Sequence, residues 1–350
     1  MKIEELNKLF NEQKIDAYVS NAPQTRLWVT GVQTTDGFVV IEKDKVYLFV
    51  DSRYIEYCQK NAKNVDEIVL LQGTAMKDFF DKKKYQTVAF EEDYLIHEQA
   101  VRLENMINPK KIVWTSGQLM RIAKSDAEIE IMQKAIDISL KSYNELIKWI
   151  KEGMTEKEVA ARLNYLMKLN GADKESFDEI VAFGPSSAEP HHHPTDRKLK
   201  EGDIVKIDFG ALYKGYSADI TRTTFFNPNN KPLDKKLEDL HKVVLEAAKA
   251  GRDAVKPGIE VGLIDKICRD YITEKGYGDF FLHSTGHGLG IDVHELPYVR
   301  TNAKEILKPG NIITVEPGIY IAGLGGSRNE DDVLVTETGR YVFSRPEERS

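Results

Sequence analysis

The segment DFGALYKGYSADITRT, residues 208–223, places two aspartates in a stretch that otherwise has the pattern of a strand, a tight turn and a second strand. Aspartate is normally depleted in strands, so the pair needs an explanation. If Lys214 and Gly215 form a two-residue turn, then Asp208 and Asp219 occupy diagonal positions on the two strands. Because side chains alternate faces, both carboxylates then lie on one face, with their backbones about 7–8 Å apart. An odd-numbered turn would break this arrangement.

Two converging carboxylates have to be neutralised by protons or by cations. A shared proton would indicate a hydrolase of the carboxylate-dyad type, whereas a metal site needs further ligands. The further candidates in the sequence are His283, His287 and His294 in HSTGHGLGIDVHELP, Glu316 in ITVEPGIYI and Glu330 in GGSRNEDDVLV. One histidine with four carboxylates is an oxygen-rich set, which favours Mn²⁺ or a similar divalent ion over a zinc site built from thiolates.

Taken singly, these residues indicate little. An aspartate in a hairpin is usually a solvated residue beside the turn, and a single histidine is more often a surface or core residue than a ligand. Glu316 is the exception, because a glutamate in an apolar run is rarely buried unless it is paired. The DFG triplet also occurs in protein kinases, but the chain lacks the glycine-rich loop and the HRD motif that would accompany it. The combination predicts a two-metal site.

The first 120 residues alternate short strand patterns with helical patterns, which is typical of an α/β domain. The pattern changes at Ser125, which with Glu128 has the spacing of a capping box that opens a long helix. The sequence therefore predicts a domain boundary between residues 118 and 125, with domains at 1–122 and 123–350. The predicted strands of the first domain are DAYVS, GFVVIEKDKVYLFV, TVAFEE and KIVWT, and its predicted helices are SRYIEYCQKNAK and IHEQAVRLENMI.

In the second domain, Gly153 is expected to end the long helix, and Thr155 with Glu158 repeats the capping signal for the next one. Two more helical stretches are predicted near residues 233–250 and 259–275. Most of the eight histidines fall between residues 191 and 294, among glycine-rich turns and strand-like runs. We therefore expect the chemistry of the chain to lie in the second domain.

Composition excludes several classes of protein. The net charge of −7 without long blocks of like charge gives no basic face for nucleic acid. No apolar run approaches the ~18 residues of a membrane span, and the N-terminal pattern has no apolar core of a secretory signal. Cys58 and Cys268 lack metal-ligand spacing and are expected to be reduced and buried. We expect a cytoplasmic protein.

The order Asp208, Asp219, His287, Glu316, Glu330, each in its local motif, resembles the ligand series of the M24 metallopeptidases, which include methionine aminopeptidase, aminopeptidase P and prolidase. The resemblance covers about residues 125–350 and implies the pita-bread fold. The first 120 residues, with LFVDSRYIEY, are similar to the creatinase-type N-terminal α/β domain, which methionine aminopeptidases lack. The fold class implied is α/β (α+β), with a creatinase-like domain followed by a pita-bread catalytic domain.

The resemblance implies two divalent metal ions, Mn²⁺ first, with Co²⁺, Zn²⁺ or Fe²⁺ as alternatives. Asp208 would chelate one ion, His287 and Glu316 the other, and Asp219 and Glu330 would bridge both. A water molecule between such ions is acidified to a hydroxide nucleophile, and Glu316 is the expected general base.

Four more histidine and arginine positions match residues of the family. His191, the first of three adjacent histidines, and His294 are expected to steady the scissile carbonyl and the developing oxyanion. His283 matches a histidine of the proline-specific members. Arg328 is a candidate at the substrate site and, together with Thr221, is expected to hold carboxylates in orientation.

The implied substrates are short proline-containing peptides. Several prolidases have an arginine shortly after the HE-x-P motif that receives a dipeptide carboxylate, but here Tyr298 follows Pro297 and the first arginine is Arg300. We therefore expect a Xaa-Pro aminopeptidase, with a Xaa-Pro dipeptidase as the alternative. An inactive peptide-binding protein and a metal-free hydrolase of creatinase type are disfavoured by the intact ligand series. The resemblance also implies a homodimer.

Overall fold

The structure, a computed structural model, describes residues 2–345. The outer ends of the two predicted domains, residue 1 and residues 346–350, lie outside the described residues. The chain divides into two compact units between Arg121 and Ile122. In the described part, no helix is both long and apolar enough to cross a membrane.

The first unit is a six-stranded mixed sheet in the order β4-β3-β2-β1-β5-β6. Strands β1, β2 and β3 pair antiparallel, whereas β3–β4, β1–β5 and β5–β6 pair parallel. The predicted strands DAYVS, TVAFEE and KIVWT and both predicted helices are confirmed. The run GFVVIEKDKVYLFV, predicted as one strand, forms the antiparallel pair β2 and β3 with a turn at residues 42–45, and α2, β4 and α4 were not predicted. The elements are α1 (Lys2–Gln13), β1 (Ala17–Ser20), α2 (Pro23–Thr30), β2 (Phe38–Ile41), β3 (Val46–Val50), α3 (Ile55–Asn61), β4 (Glu67–Leu70), α4 (Ala75–Lys83), β5 (Thr87–Glu91), α5 (His97–Ile107) and β6 (Lys111–Thr115).

Four long helices belong to the second unit within residues 122–345. They are α6 (Asp126–Trp149), α7 (Glu156–Leu169), α8 (Lys235–Ala254) and α9 (Val261–Glu274). The predicted capping boxes open α6 at Ser125 and α7 at Thr155. Helix α6 ends at Trp149, before Gly153, so the predicted end was too late. Gly153 instead forms the turn between the helices with a φ of 86°, a conformation in which glycine avoids the steric penalty of a Cβ atom.

The strands described in the second unit form four small sheets. They are β7 (Lys174–Glu175), β8 (Ile180–Phe183), β9 (Ile204–Phe209), β10 (Ala211–Tyr213), β11 (Tyr216–Ser217), β12 (Ile220–Phe225), β13 (Gly286–Gly288), β14 (Glu295–Val299), β15 (Ile312–Val315), β16 (Gly318–Ile321), β17 (Gly325–Arg328), β18 (Asp331–Val335) and β19 (Arg340–Val342). Helices α6 and α7 pack with β8, β9 and β12 in one apolar core. Helices α8 and α9 pack with β15 and β18 in a second core. Burial of these apolar faces fixes the strands that carry the candidate ligands.

The hairpin has the predicted register. Tyr213 pairs with Tyr216 across the turn, and Asp208 pairs with Thr221 farther along. Lys214 and Gly215 have φ angles of 49° and 80°, so both central residues adopt the positive φ of a type I′ turn. The even loop preserves the alternation of side chains, and the predicted parity is therefore confirmed.

We expect Gly210→Ala to disrupt the hairpin between its two aspartates. A Cβ atom at position 210 would lie 1.8 Å from the carbonyl oxygen of Ala218, so the strands would have to separate. Such overpacking should lower the free energy of unfolding by about 3 kcal/mol. Urea denaturation would measure the loss. Gly339→Ala is the matched control, because a Cβ there meets open space; equal stability of the two variants would contradict this account.

Candidate metal centre

Each of the five predicted ligands lies in a strand or at its end. Asp208 is in β9 and His287 is in β13. Asp219 directly precedes β12, Glu316 directly follows β15 and Glu330 directly precedes β18. A backbone hydrogen bond connects two of these segments: Glu330 N–H donates to the carbonyl oxygen of Thr221 in β12 at 3.1 Å. The arrangement places the side chains by sheet register rather than by loop conformation.

The structure brings all five side chains together. Asp208, Asp219 and Glu330 present oxygens that lie within 4.8 Å of one another, and His287, Glu316 and Glu330 form a second such group. A third group consists of Asp219, His287 and His294. Asp219, His287 and Glu330 each belong to two of the three groups. His287 Nε2 lies 3.3 Å from Glu316 Oε1 and 3.6 Å from Asp219 Oδ2.

The buried carboxylates repel one another. Burial raises the pKa of Asp219 well above its usual range, and the charges of Glu330 and Asp208 raise it further. Burial also raises the pKa of Glu330, with Glu316 and Asp208 adding to the effect. Taking several carboxylates out of water without compensating charge is costly, so the cluster requires protons or cations.

The donor set fits divalent metal ions. Oδ1 of Asp208 and Oε1 of Glu330 are buried and have no hydrogen-bond partner among the described residues. Buried polar atoms are normally hydrogen-bonded, so two unpaired buried oxygens in one cluster are what we expect of atoms that coordinate a metal ion. Four carboxylates and one imidazole suit Mn²⁺ and related ions. Cys58 and Cys268 are buried outside the cluster and supply no thiolate to it.

His287 and Glu316 form an ion pair inside the cluster. Burial alone would raise the pKa of Glu316, but the hydrogen bond and charge of His287 lower it to about 2. Burial would lower the pKa of His287, and the contact with Glu316 raises it instead. His287 is flanked by Gly286 and Gly288, where a Cβ would lie 2.1 Å from the Thr314 carbonyl and 2.2 Å from a backbone carbonyl of β14. The backbone of neighbouring strands therefore approaches closely on both sides of His287, where a larger residue than glycine does not fit.

A cavity of about 550 Å³ opens over the cluster, a size that suits a small ligand. All of its lining residues belong to the second unit. They are Phe177, Asp178, Ile180, Pro190, His191, His192, His193, Asp208, Asp219, His283, Ser284, His287, Val293, His294, Tyr298, Glu316, Arg328 and Glu330.

The three adjacent histidines differ in environment. His192 is buried, with Nδ1 2.6 Å from Glu189 Oε2 and Nε2 2.8 Å from Glu156 Oε2, so both ring nitrogens are engaged. His191 and His193 are exposed at the cavity. Burial lowers the pKa of His283 and of His294, and the neighbouring charges of Arg328 at His283 and of His287 at His294 lower it further.

His294 and His283 also lie at the cavity. The ring of His294 is 4.3 Å from that of His287, centroid to centroid, in an edge-to-face arrangement. His283 Nε2 lies 2.8 Å from the Tyr320 hydroxyl, and its Nδ1 lies 2.7 Å from the Ser284 carbonyl oxygen.

The two candidate arginines have different surroundings. Arg328 is buried and donates to Asp208, to Thr221 Oγ1 at 3.0 Å and to the Tyr320 hydroxyl at 2.8 Å. Arg300 is exposed, is not among the cavity-lining residues, and lies over the ring of Tyr298 at 5.7 Å from its centroid. The structure therefore brings Arg328 into the cluster but leaves Arg300 outside it.

Sequence reasoning missed several polar residues that support the cluster. Lys206 and Asp332 stand inside buried strands, a signal that was available because charged residues are rarely buried unpaired. Asp332 accepts the Asp219 N–H at 3.3 Å. Tyr320 bridges Arg328 and His283. No sequence signal distinguished Glu156, which lies beside the capping pair of α7.

The chain matches the model of metallopeptidase family M24 over residues 130–337 and that of the creatinase/prolidase N-terminal domain over residues 2–122. The first match spans more than half of the chain. The chain belongs to metallopeptidase family M24. It is a hydrolase of that family, and the family implies divalent metal ions at the cluster described above.

Similar proteins are matched over nearly their whole length. The Xaa-Pro dipeptidase of Pyrococcus furiosus is 38% identical over 350 residues, covering 99% of this chain and 98% of its own. The structure of a Xaa-Pro dipeptidase from Bacillus anthracis is 38% identical with a TM-score of 0.92, covering 99% and 98%. That of an X-Pro aminopeptidase from Thermotoga maritima is 34% identical with a TM-score of 0.88, covering 96% and 97%. These likenesses confirm the predicted creatinase-type and pita-bread folds.

Asp265 of α9 accepts hydrogen bonds from the N–H and the hydroxyl of Thr285, two residues before His287, and its charge should be measurable as pH-dependent stability. Burial would raise its pKa, but hydrogen bonds from Arg269, Thr301 and Thr285 hold it below the ordinary value of 3.8. A lowered folded-state pKa gives stability that is complete above pH 3.8 and is lost as the pH falls through the folded-state value. The free energy of unfolding of Asp265→Asn should therefore be roughly 2 kcal/mol lower than that of the unchanged protein near neutral pH.

Urea denaturation as a function of pH would test this expectation. The difference between Asp265→Asn and the unchanged protein should shrink as the pH falls below 3.8. Asp270→Asn on the same helix is the control, since Asp270 is exposed and pairs with Lys266 at the surface, where such pairs contribute little. A pH-independent deficit would show that the charge of Asp265 is not the source of the stability.

Proposed function

We propose that this chain is a metal-dependent exopeptidase that hydrolyses the bond between an N-terminal residue and a following proline. The observation that carries the proposal is the convergence of four carboxylates and His287 beneath a cavity with His191, His283 and His294 at its walls. The names of the similar proteins, Xaa-Pro dipeptidase and X-Pro aminopeptidase, support proline as the second residue.

The proposed ligand assignment rests on the family resemblance and is supported by Asp219 and Glu330 each belonging to two of the donor groups. Asp208 would hold one ion, His287 and Glu316 the other, and Asp219 and Glu330 both. The ions, with Mn²⁺ proposed first, would supply an acidified water molecule as the nucleophile near neutral pH. We also propose that the chain acts as a homodimer, on the basis of the family resemblance.

The protein's own groups have three tasks in this reaction. Glu316 accepts the proton of the attacking water on its carboxylate and returns it to the proline nitrogen, which must be protonated to leave. His191 and His294 orient the scissile carbonyl and donate to the oxygen as negative charge develops on it. Arg328 holds Asp208 and Tyr320 in place from below the cavity.

The charges of the cavity favour the aminopeptidase over the dipeptidase. Within residues 2–345 one lysine or arginine lines the cavity, Arg328, and its guanidinium already contacts Asp208, Thr221 and Tyr320. A dipeptide would place its C-terminal carboxylate directly after the proline, where it would need a cation. The dipeptidase remains the second candidate, because two of the similar proteins have that name.

The choice between these activities can be measured after the protein is stripped with chelator and reloaded with Mn²⁺. We expect kcat/KM for a tripeptide Xaa-Pro-Yaa to exceed that for the dipeptide Xaa-Pro by about tenfold or more, the equivalent of one uncompensated charge contact. Arg300→Gln should leave both values unchanged. Cleavage confined to the dipeptide, with loss in Arg300→Gln, would support the prolidase. Failure to cut either peptide with Mn²⁺, Co²⁺, Zn²⁺ or Fe²⁺ would refute proline specificity and favour the peptide-binding alternative.

Replacing a shared ligand tests the dependence on metal. Asp219→Ala should lose bound metal and activity together, with kcat reduced by at least about a thousandfold, because it removes a proposed ligand of both ions. Elemental analysis and the peptide assay measure the two effects. Asp239→Ala, an exposed aspartate of α8, is the control. Retained activity in metal-free Asp219→Ala would indicate a metal-free hydrolase of creatinase type.

A further inference from the structure

The histidine loop, which we define as residues 184–198, is held by two buried charged side chains that the proposed mechanism does not use. They are Lys206 of β9 and Glu156 of α7, and both are 0% exposed. A fully buried ammonium or carboxylate is costly unless it is paired or hydrogen-bonded. Each one therefore needs hydrogen-bond partners, and both have most of them in the backbone or the side chains of the histidine loop.

Lys206 holds the loop immediately before His191. Its Nζ donates to the carbonyl oxygen of Glu189 at 2.5 Å and to that of Pro190 at 3.4 Å. The Pro190 carbonyl also accepts from Arg328 Nη1 at 3.2 Å. The peptide that leads into His191 is thus tied to the strand that carries Asp208 and to the guanidinium that contacts Asp208.

Glu156 holds the loop immediately after His191. Its Oε2 accepts from Thr195 N–H at 2.9 Å and from the Thr195 hydroxyl at 2.6 Å, and it lies 2.8 Å from His192 Nε2. Its Oε1 accepts from Phe183 N–H at 2.9 Å. The carboxylate also lies in the first turn of α7, where the helix dipole favours negative charge.

The contacts of Lys206 and of Glu156 lie on the two sides of His191 in the sequence, and we call this arrangement the bracketing of His191. Lys206 fixes the residues on one side of it, while Glu156 fixes the next residue and Thr195 on the other. Because both ring nitrogens of His192 are occupied, His192 cannot exchange places with its neighbour at the cavity without breaking two hydrogen bonds. A displacement of about 1 Å at a catalytic group can cost about a hundredfold in rate, so such bracketing has a functional consequence.

We propose that Lys206 and Glu156 are positioning residues that hold His191 at the scissile carbonyl, an inference that rests on the role given to His191 above. Replacing either residue should weaken the stabilisation of the transition state by His191. It should not lower the amount of bound metal, because neither residue is among the ligand groups of the cluster.

A double-mutant cycle in the full-length, Mn²⁺-loaded protein tests the proposal. Lys206→Met and Glu156→Gln, which keep the size of each side chain, should each lower kcat for Xaa-Pro-Yaa by about 10- to 100-fold with KM and metal content unchanged. In a His191→Ala background, either change should lower kcat by less than about twofold further, since residues that act through one group are not additive.

The control is Lys157→Met. Lys157 follows Glu156 on the same helix and forms an exposed ion pair with Asp196 of the same loop, 3.1 Å apart. Its replacement should change kcat by less than about twofold, because exposed pairs contribute little. Additive losses in the cycle, or a loss of metal in step with kcat, would overturn the proposal, because they would reveal a general structural role.

A second measurement does not depend on activity. Amide hydrogen exchange of the histidine loop should rise in Lys206→Met and Glu156→Gln while peptides from β12 stay protected as in the unchanged protein. Unchanged exchange of the loop would refute the bracketing whichever peptide the enzyme cuts. If His191→Ala leaves kcat unchanged, the role of His191 and this inference fail together, while the proposed cleavage stands. If no peptide is cut, the proposed function fails and the exchange experiment still tests the bracketing.

Discussion

The mutual repulsion of four clustered carboxylates is the constraint on which the rest of the second unit depends. Asp208, Asp219 and Glu330 are buried and Glu316 is partly buried, and all four are brought within a few ångströms of neighbouring ligand atoms where water screens their charges poorly. Arg328 and His287 contact the cluster but leave oxygens of Asp208 and Glu330 without partners. Such a cluster is stable in its ionised form only with additional positive charge, which is what divalent ions provide.

The fold tolerates this repulsion because the backbone positions are fixed by apolar packing elsewhere. Strand β15 shows how: Ile312 packs in the core with α6 and α7, whereas Ile313 and Val315 pack in the core with α8 and α9. The strand is held from both sides, and Glu316 at its end has little freedom to withdraw from its neighbours. Hydrophobic burial over two cores thereby offsets an electrostatic cost concentrated at one point.

The residues around the cavity divide into those that face it and those that hold it. His191 and His294 face the cavity, while Lys206, Glu156 and Asp265 lie behind loops and strands that carry the facing residues. The supporting residues are buried and hydrogen-bonded, which makes them rigid. Catalysis by proximity requires this second layer as much as the first, because a loosely held imidazole spends little time in the productive position.

The sequence by itself determined the periodic features: the helices opened by Ser125 and Thr155, and the parity of the hairpin, which needed only alternation and an even turn. Family motifs then named the five ligands in order. Only the tertiary structure decided which of three adjacent histidines is engaged by Glu156 and Glu189, that Arg300 lies outside the cavity, and that Lys206 and Glu156 hold the histidine loop. Local periodicity specifies which face a side chain takes, whereas contacts between distant segments depend on how the whole chain packs, and no short pattern encodes them.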